Sequence, residues 1–275
     1  MGGHPKVDRL YEAELVAAVE QKPRHRELPF SSWTCRELVK YLAATGREAV
    51  SVETIRRHLH ALGYRMVRPV LTVSSPDPDY EAKFEKLQTC QGQAKCGEIM
   101  LLYEDEVDLN LLPGVNGCWT VRGKQRKIET PGQNVKRYGF GAVNFITGQL
   151  TGHISEHKDS TGFISLIEQI VADYCPAEDY TGPKIGLVVD NYIIHRSKKT
   201  TVVLEKYADR LFIVPLPTYS PQLNVIERLW KHLRRRVTHN YLFASIEKLV
   251  AAVKQFFKDM DSHRTETLSV IGCSE

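Results

Sequence analysis

Three acidic residues stand where carboxylates could do chemistry together. Asp105 and Asp190 each follow closely on an apolar run typical of a buried strand, Ile99–Tyr103 and Ile185–Val189 respectively. In α/β proteins ligands bind outside the carboxyl ends of strands, so neighbouring strands would bring both aspartates to one rim. Carboxylates held close together repel each other unless a cation joins them, and Mg²⁺ is bound in this way together with substrate phosphates.

The third acid, Glu227, lies near the start of a predicted helix. Asn224 is a suitable N-cap, and an apolar stripe at helical spacing follows it. Glu227 falls on the flank of this stripe, on the same side as Lys231 and Arg234, which places an acid beside a basic row. The stripe consists of Ile226, Leu229, Trp230, Leu233 and Val237.

Each of these acids also has a purely structural interpretation. Asp190 could be a turn or cap residue before Asn191, and the acidic cluster from Glu104 to Asp108 could be a solvated strand exit. Glu227 could do no more than stabilise the helix dipole in the first turn. Taken one by one, the residues leave both interpretations open.

The elements around the acids predict an α/β domain. An initial run of three strands, followed by strands that alternate with helices, indicates a mixed five-stranded sheet flanked by helices. The strands are predicted at 99–103, 138–146, 149–154, 185–189 and 211–216, and the helices at 160–174, 197–209, 224–238 and 245–260.

The N-terminal part predicts a small helical domain. After a short helix at 9–21, Thr34 and Ser51 begin two helices that end at Gly46 and Gly63. Extended chain with Arg65 and Arg68 follows at 64–73, so the order fits a helix-turn-helix with a trailing wing. The second helix of the pair would enter a major groove. The predicted DNA contacts here are Arg56, Arg57, His60 and Arg65.

A segment rich in turn-forming residues at 74–79 marks the domain boundary, and a helix is predicted at 80–93. We therefore predict a winged helix-turn-helix DNA-binding domain at 1–75, a helical connector at 76–97 and a catalytic domain at 98–275.

Two basic clusters could bind phosphates, or could simply be solvated. One follows Glu227, and the other lies in the long connection at 113–135 and just after it, a connection that could clamp DNA or a second subunit. Trp119 in this connection is expected to anchor it to the core. The clusters are Arg228, Lys231, Arg234, Arg235 and Arg236, and Arg122, Lys124, Arg126, Lys127, Lys136 and Arg137.

The bulk composition excludes several classes of protein. A chain of 275 residues with 42% hydrophobic residues suffices for two folded domains. Six cysteines without a CxxC pair predict reduced thiols, and His195, His232 and His239 have no zinc-ligand spacing to any of them. Without an apolar run of ~18–20 residues or a secretory signal, we expect a soluble intracellular protein.

Three segments together resemble transposases of the mariner superfamily, specifically its bacterial insertion-sequence branch. They are 103–106 (YEDE), 189–191 (VDN) with HRS at 195–197, and 217–224 (PTYSPQLN) leading to Glu227 and Trp230. Asp190 and Glu227 are separated by 36 residues, 191–226, close to the spacing of that family's Asp-Asp-Glu (DDE) triad. The resemblance covers roughly residues 30–260.

The resemblance implies a ribonuclease H-like catalytic domain in which Asp105, Asp190 and Glu227 bind two Mg²⁺ or Mn²⁺ ions. It implies cut-and-paste DNA transposition: the element's ends are cut, and the freed 3′-hydroxyl attacks target DNA, with TA as the expected target site. The implied partners are double-stranded DNA, namely the terminal inverted repeats and the target, and a second copy in a homodimer. A cytoplasmic, nucleoid-associated location in a bacterium follows, with no membrane.

Two departures from the family pattern stand out. Relatives usually carry a further helix-turn-helix ahead of this one, so we expect an N-terminally shortened copy, or one completed by another reading frame. Val225 occupies a position where relatives often have proline, which is helpful there but not required. Two alternative functions also follow from the residues: a metal-dependent nuclease that joins no strands, and an element-derived DNA-binding protein with an idle catalytic centre.

Overall fold

The computed structural model describes residues 6–67, 75–177 and 179–273, and the chain divides into two compact units at residues 72 and 73. Arg68 and the rest of the predicted wing up to residue 73 lie outside the described residues. Across the described ranges, no helix is both long enough and apolar enough to cross a lipid bilayer.

The described part of the N-terminal unit contains three α-helices and a short 3-10 turn, Pro23–Arg26. Asp8, Thr34 and Ser51 each cap a helix by accepting a hydrogen bond from a backbone N–H in its first turn. The apolar faces of the helices meet in one core that includes Leu15, Leu42 and Ile55. The predicted helix pair is therefore present. The bounds are α1 (Arg9–Val19), α2 (Cys35–Ala44) and α3 (Val52–Ala61).

The second unit contains the predicted mixed sheet of five strands. The strand order is β3-β2-β1-β4-β5, with β1 antiparallel to β2 and parallel to β4. The strands are β1 (Ile99–Asn110), β2 (Lys136–Asn144), β3 (Leu150–Ser155), β4 (Lys184–Val189) and β5 (Leu211–Pro215). The helices are α4 (Tyr80–Lys95), α5 (Ser160–Tyr174), α6 (Lys198–Lys206), α7 (Ile226–Leu233), α8 (Ile246–Ser262) and α9 (Arg264–Ile271).

Helices cover both faces of this sheet. Helices α4, α7, α8 and α9 contribute to the core on one face, called here the α7 face, and α5 and α6 pack on the other, the α5 face. Because successive side chains of a strand point to opposite faces, Leu101 and Tyr103 of β1 pack on the α7 face and Leu102 on the α5 face. The same alternation governs the acids that follow them.

Strand β1 is longer than predicted, and Asp105 lies within it rather than at its end. Tyr103 still pairs with Val188 of the parallel neighbour, so Asp105 and Asp190 each stand two residues beyond a paired position. The expected meeting of the two aspartates at one edge is thus preserved, although the reason given for Asp105 was wrong.

The helix predictions need correction at the start of α7 and at the C-terminus. The helix expected at 224–238 begins at Ile226, and beyond Leu233 it continues as a π-helical segment, Arg234–Thr238. Asn224 does not cap it, because the N-cap position is Val225 and no side chain caps the helix there. The C-terminal helix α9 has no counterpart among the predicted helices.

Candidate active site

Asp105, Asp190 and Glu227 line one cavity of about 420 Å³. Strand β1 contributes Asp105, the chain just after β4 contributes Asp190, and the first turn of α7 contributes Glu227. The segment 216–221 lines the cavity with them. The fold therefore brings together three carboxylates that the sequence separates by up to 122 positions (227 − 105).

Helix α7 is fixed over the sheet by one polar contact and one close apolar contact. The Nδ2 of Asn224 donates a buried hydrogen bond of 2.7 Å to the backbone carbonyl of Glu104. Trp230, which is fully buried, packs over Gly141 of β2, where an added Cβ would lie 2.7 Å from the indole ring. Glu227, three residues from both contacts, is held beside Asp105 as a result.

The charges of the cavity favour a bound cation. Burial, and after it the charge of Glu227, raises the pKa of Asp105 to about 8. Burial also acts to raise the pKa of Asp190, but the contact with His195 and the hydrogen bond from the N–H of Tyr192 outweigh it, so that this pKa is lowered. A divalent ion would remove the repulsion at Asp105, and carboxylate oxygens are the ligands that Mg²⁺ prefers. The three residues fit such an ion.

The rim of the cavity is held by side chains from two other segments. Asn191 donates from Nδ2 to the carbonyl of Leu216 and to the hydroxyl of Thr218, at 2.9 and 3.2 Å. Asp77 accepts hydrogen bonds from the N–H and hydroxyl of Thr218, at 2.8 and 3.1 Å, and from the ammonium of Lys83. Sequence reasoning missed Asp77, because its partner Thr218 lies 141 positions away.

Glu104 and Glu106 point away from this cavity and are buried on the α5 face, near His195. The interpretation of the acidic cluster as a solvated strand exit is therefore wrong for both residues. Burial, followed by the charge of Glu106, raises the pKa of Glu104 well above its usual range. Alternating acids were the signal available in the sequence, but their burial depends on α5, which lies far along the chain.

The predicted DNA-binding residues of the N-terminal unit are all exposed. The guanidinium of Arg56 pairs with Glu53 at 2.6 Å, and Arg65 donates to the carbonyls of His60 and Tyr64. Arg57 and His60 extend from the same helix, α3. These residues lie on the surface of the N-terminal unit, and their contact with DNA remains a prediction.

The basic clusters of the second unit also lie outside the triad cavity. Lys231 is exposed on α7, and Arg234 and Arg235 belong to the π-helical segment after it. Arg122 and Lys124 are exposed in the long connection between β1 and β2. These positions remain predictions for DNA contact.

The expected core anchor of that connection is not observed. Trp119 is 99% exposed, so it does not pack on the core. The connection is instead held near its start, where Asn116 and Asn240 exchange two hydrogen bonds of 2.9 Å. The Trp119 side chain itself is therefore accessible from solvent.

The mixed sheet and its covering helices carry a cavity that is lined by three carboxylates. The family model of DDE superfamily endonucleases matches residues 100–250, and that of the winged helix-turn helix matches residues 29–87. The chain belongs to the DDE superfamily endonucleases. The predicted DDE catalytic domain and the predicted helix-turn-helix are thereby confirmed at the level of these two families.

A curated relative and two solved structures agree with this assignment. The chain is 35% identical over 233 residues to the "Insertion element IS630 uncharacterized 39 kDa protein" of Shigella sonnei, covering 83% of this chain and 64% of the relative. The Mos1 mariner paired end complex with Mn superposes with a TM-score of 0.68 at 14% identity, covering 99% of this chain and 77% of the other. The complex with Mg gives 0.65 at 16% identity, covering 99% and 79%. These likenesses confirm the ribonuclease H-like fold.

Proposed function

We propose that this chain is a DNA transposase that cuts the ends of its own element and transfers the freed strands into target DNA. The observation that carries the proposal is the single cavity shared by Asp105, Asp190 and Glu227 in a domain of the DDE endonuclease superfamily. Similarity to a protein of an insertion element supports transposition as the setting for this chemistry.

We infer that the three carboxylates hold two Mg²⁺ or Mn²⁺ ions. When bound, two such ions activate the attacking oxygen and stabilise the leaving oxygen of an in-line phosphoryl displacement. Burial, and after it the charge of Glu227, raises the pKa of Asp105, and both causes support an ion between the carboxylates. Two of the matched mariner structures are complexes with Mn and with Mg, which accords with this choice.

The chain's own side chains would orient the reacting groups. Asp190 stays ionised at neutral pH because the contact with His195 and the Tyr192 N–H stabilise its charge, so it offers a carboxylate to a cation. Asn191 fixes the rim at Leu216 and Thr218, which keeps the cavity open beside the triad. In this mechanism water attacks first and a 3′-hydroxyl second, and no covalent bond to the protein is needed.

DNA would be held at the three groups of basic residues described above. Residues of α3 would contact the terminal repeats, while Lys231, Arg234 and Arg235 next to the triad, and Arg122 and Lys124, would neutralise phosphates. We further propose a homodimer that pairs two element ends, and insertion at TA sites. In a bacterium, such a protein would act at the nucleoid.

The test is Mn²⁺-dependent nicking and joining of a DNA that carries the element's flanking ends. We compare the full chain with Asp190→Ala and with Asp209→Ala, a matched control whose exposed acid lies just before β5, away from the triad cavity. Loss of both reactions in Asp190→Ala alone, with DNA binding retained, would support the assigned site.

Other outcomes select other functions. Cutting without joined products would identify a simple nuclease. Binding without cutting by the wild-type chain would identify an element-derived protein with an idle centre. Cutting that persists in Asp190→Ala would reject the proposed site.

A further inference from the structure

A second group of possible metal ligands lies on the α5 face of β1. Glu104 and Glu106 flank Asp105 in sequence, so their side chains point to the opposite face of the strand. His195 approaches them from the 3-10 turn Ile193–Arg196, and its ring packs edge-on against Phe163 of α5. Glu104, Glu106 and His195 are called the back cluster below.

The back cluster has the geometry of a small ion site. The Nε2 of His195 lies 3.9 Å from Oε2 of Glu104 and 3.8 Å from Oε1 of Glu106, and one ligand atom from each residue lies within 4.8 Å of the others. Ligands at ~2.0–2.1 Å from a tetrahedral ion are roughly 3.3–3.4 Å apart, so the two distances from His195 would each shorten by about half an ångström around a bound ion. The three residues would supply three of four ligands and leave one position open.

The polar atoms of the back cluster are buried and mostly without partners. The side chains of Glu104, Glu106 and His195 are 0%, 1% and 3% exposed. Within the described residues, both carboxylate oxygens of Glu104 and one of Glu106 accept no hydrogen bond. Buried polar groups are normally hydrogen-bonded, and buried charges are paired or bind metals. These oxygens therefore point to a missing ligand.

Nearby charges do not supply that ligand. Lys158 lies 3.4 Å from Oε2 of Glu106, which leaves Glu104 without a partner. The Nε2 of His195 also lies 3.2 Å from Oδ1 of Asp190, so this nitrogen does not serve the Glu104 and Glu106 oxygens alone.

We propose that Glu104, Glu106 and His195 bind one divalent transition-metal ion, Zn²⁺ or Mn²⁺, separately from the triad cavity. Two carboxylates and an imidazole form a mixed oxygen and nitrogen set, which suits these ions, whereas Mg²⁺ favours oxygen alone. Bound there, the ion would tie β1 to the turn that carries His195, behind Asp190. A bound ion would engage the same Nε2 that contacts Asp190 in its absence. The site is structural, and its occupancy does not require the triad to be catalytic.

The experiment separates the two candidate metal positions by paired variants of the full chain. Asp105→Asn with Glu227→Gln removes charge from the triad only, and Glu104→Gln with Glu106→Gln removes it from the back cluster only. Each protein is stripped with a chelator and titrated with Zn²⁺ and with Mn²⁺ in a calorimeter, and metal content is measured after gel filtration. Far-UV circular dichroism and melting curves show whether each variant folds.

We expect the triad variant to retain about one equivalent of Zn²⁺. The back-cluster variant should bind Zn²⁺ at this position at least ~100-fold more weakly, because loss of a ligand costs more affinity than loss of a residue that only supports a ligand. Zn²⁺ binding that disappears in the triad variant, or that survives unchanged in a folded back-cluster variant, would overturn the proposal.

A spectroscopic readout decides the matter even if the back-cluster variant does not fold. X-ray absorption of the Zn²⁺-loaded triad variant should show one imidazole nitrogen together with carboxylate oxygens. A shell of oxygens alone, a thiolate ligand, or the absence of bound Zn²⁺ would each exclude the assigned site. Failure here would leave the proposed transposase function intact, because that function is tested by strand cleavage and joining.

Discussion

The two faces of β1 treat acidic residues in different ways. On the α7 face, Asp105 shares a cavity with Asp190, whose side chain is 52% exposed, so ions and DNA can reach it. On the α5 face, Glu104 and Glu106 are enclosed and lack hydrogen-bond partners for most of their oxygens. Three consecutive acids thus lie in two different environments, on opposite faces of one strand. A run of acids in a strand should be interpreted one face at a time.

The largest difference we expect between the faces is in catalysis. Asp105→Asn should slow Mn²⁺-dependent DNA nicking by about 10³-fold or more, because a weakened metal site loses several kcal/mol of transition-state stabilisation. Asp108→Asn makes the same chemical change at an exposed position of the same strand, and should stay within about twofold of wild type. Single-turnover nicking rates measure both. Similar losses in the two variants would reject the special role of the α7 face.

The next effect concerns stability and pH in the presence of a chelator. Unfolded Asp105 ionises near pH ~4, whereas burial and Glu227 raise the pKa of the folded residue to about 8. The folded state therefore binds more protons between these pH values, and the free energy of unfolding falls as pH rises, by at most about 1.4 kcal/mol per pH unit. Its contribution is complete at low pH and is lost towards pH 8.

Asp105→Asn should remove this slope, so that the variant gains stability relative to wild type from pH 5 to pH 7. Urea unfolding in EDTA at several pH values measures the difference in the free energy of unfolding between the two proteins. Glu104 and Glu106 are present in both proteins, so their own titration largely cancels in this difference. A difference that does not change with pH would contradict the electrostatics of the cavity. Saturating Mn²⁺ should narrow the gap, since ligand binding to the folded wild type stabilises it.

A third test compares the close packing on the two faces. A Cβ at Gly141 would meet Trp230 at 2.7 Å on the α7 face, and one at Gly162 would meet Phe140 at 2.5 Å on the α5 face. Gly141→Ala and Gly162→Ala should each lower the free energy of unfolding by about 1–3 kcal/mol through overpacking. Urea titrations give these values directly.

Only Gly141→Ala should also slow nicking under conditions in which both variants are folded, because Trp230 and Glu227 belong to the same helix. Gly92→Ala, at a helical position with no atom within 4 Å of the added Cβ, is the control and should be neutral or slightly stabilising. Equal nicking by the Gly141 and Gly162 variants would show that α7 tolerates the displacement.

The meeting of Asp105, Asp190 and Glu227 in one cavity was predictable from local signals taken together with the family resemblance. Apolar strands precede Asp105 and Asp190, and an amphipathic helix with a suitable spacing carries Glu227. The five strands and most helices followed from the same periodicities. Even the misjudged end of β1 did no harm, since the register with β4 keeps the two aspartates at one edge.

What sequence reasoning missed depends on partners that are distant along the chain. Asn224 has the composition of an N-cap, but its amide is bound to the carbonyl of Glu104, 120 positions earlier. From the sequence alone, Glu104 and Glu106 could be solvated acids, whereas in the structure α5 and His195 cover them. Trp119 was expected to pack on the core because tryptophan side chains are usually buried, and no local sequence pattern indicates its exposure.

The smallest effect we expect lies in DNA binding and compares one exposed lysine from each face. Lys231 is exposed on α7 four residues after Glu227, hence on the same side of the helix, while Lys199 is exposed on α6 of the α5 face. Lys231→Ala should weaken binding to element-end DNA by about threefold to tenfold and reduce the salt dependence by about one phosphate contact. Lys199→Ala changes the net charge equally and should leave both quantities near wild type. Binding isotherms at several salt concentrations distinguish a local contact from a general charge effect. Equal weakening by both variants would mean that DNA binding depends only on the net charge of the chain. The α7 face would then have no preferred role in DNA binding.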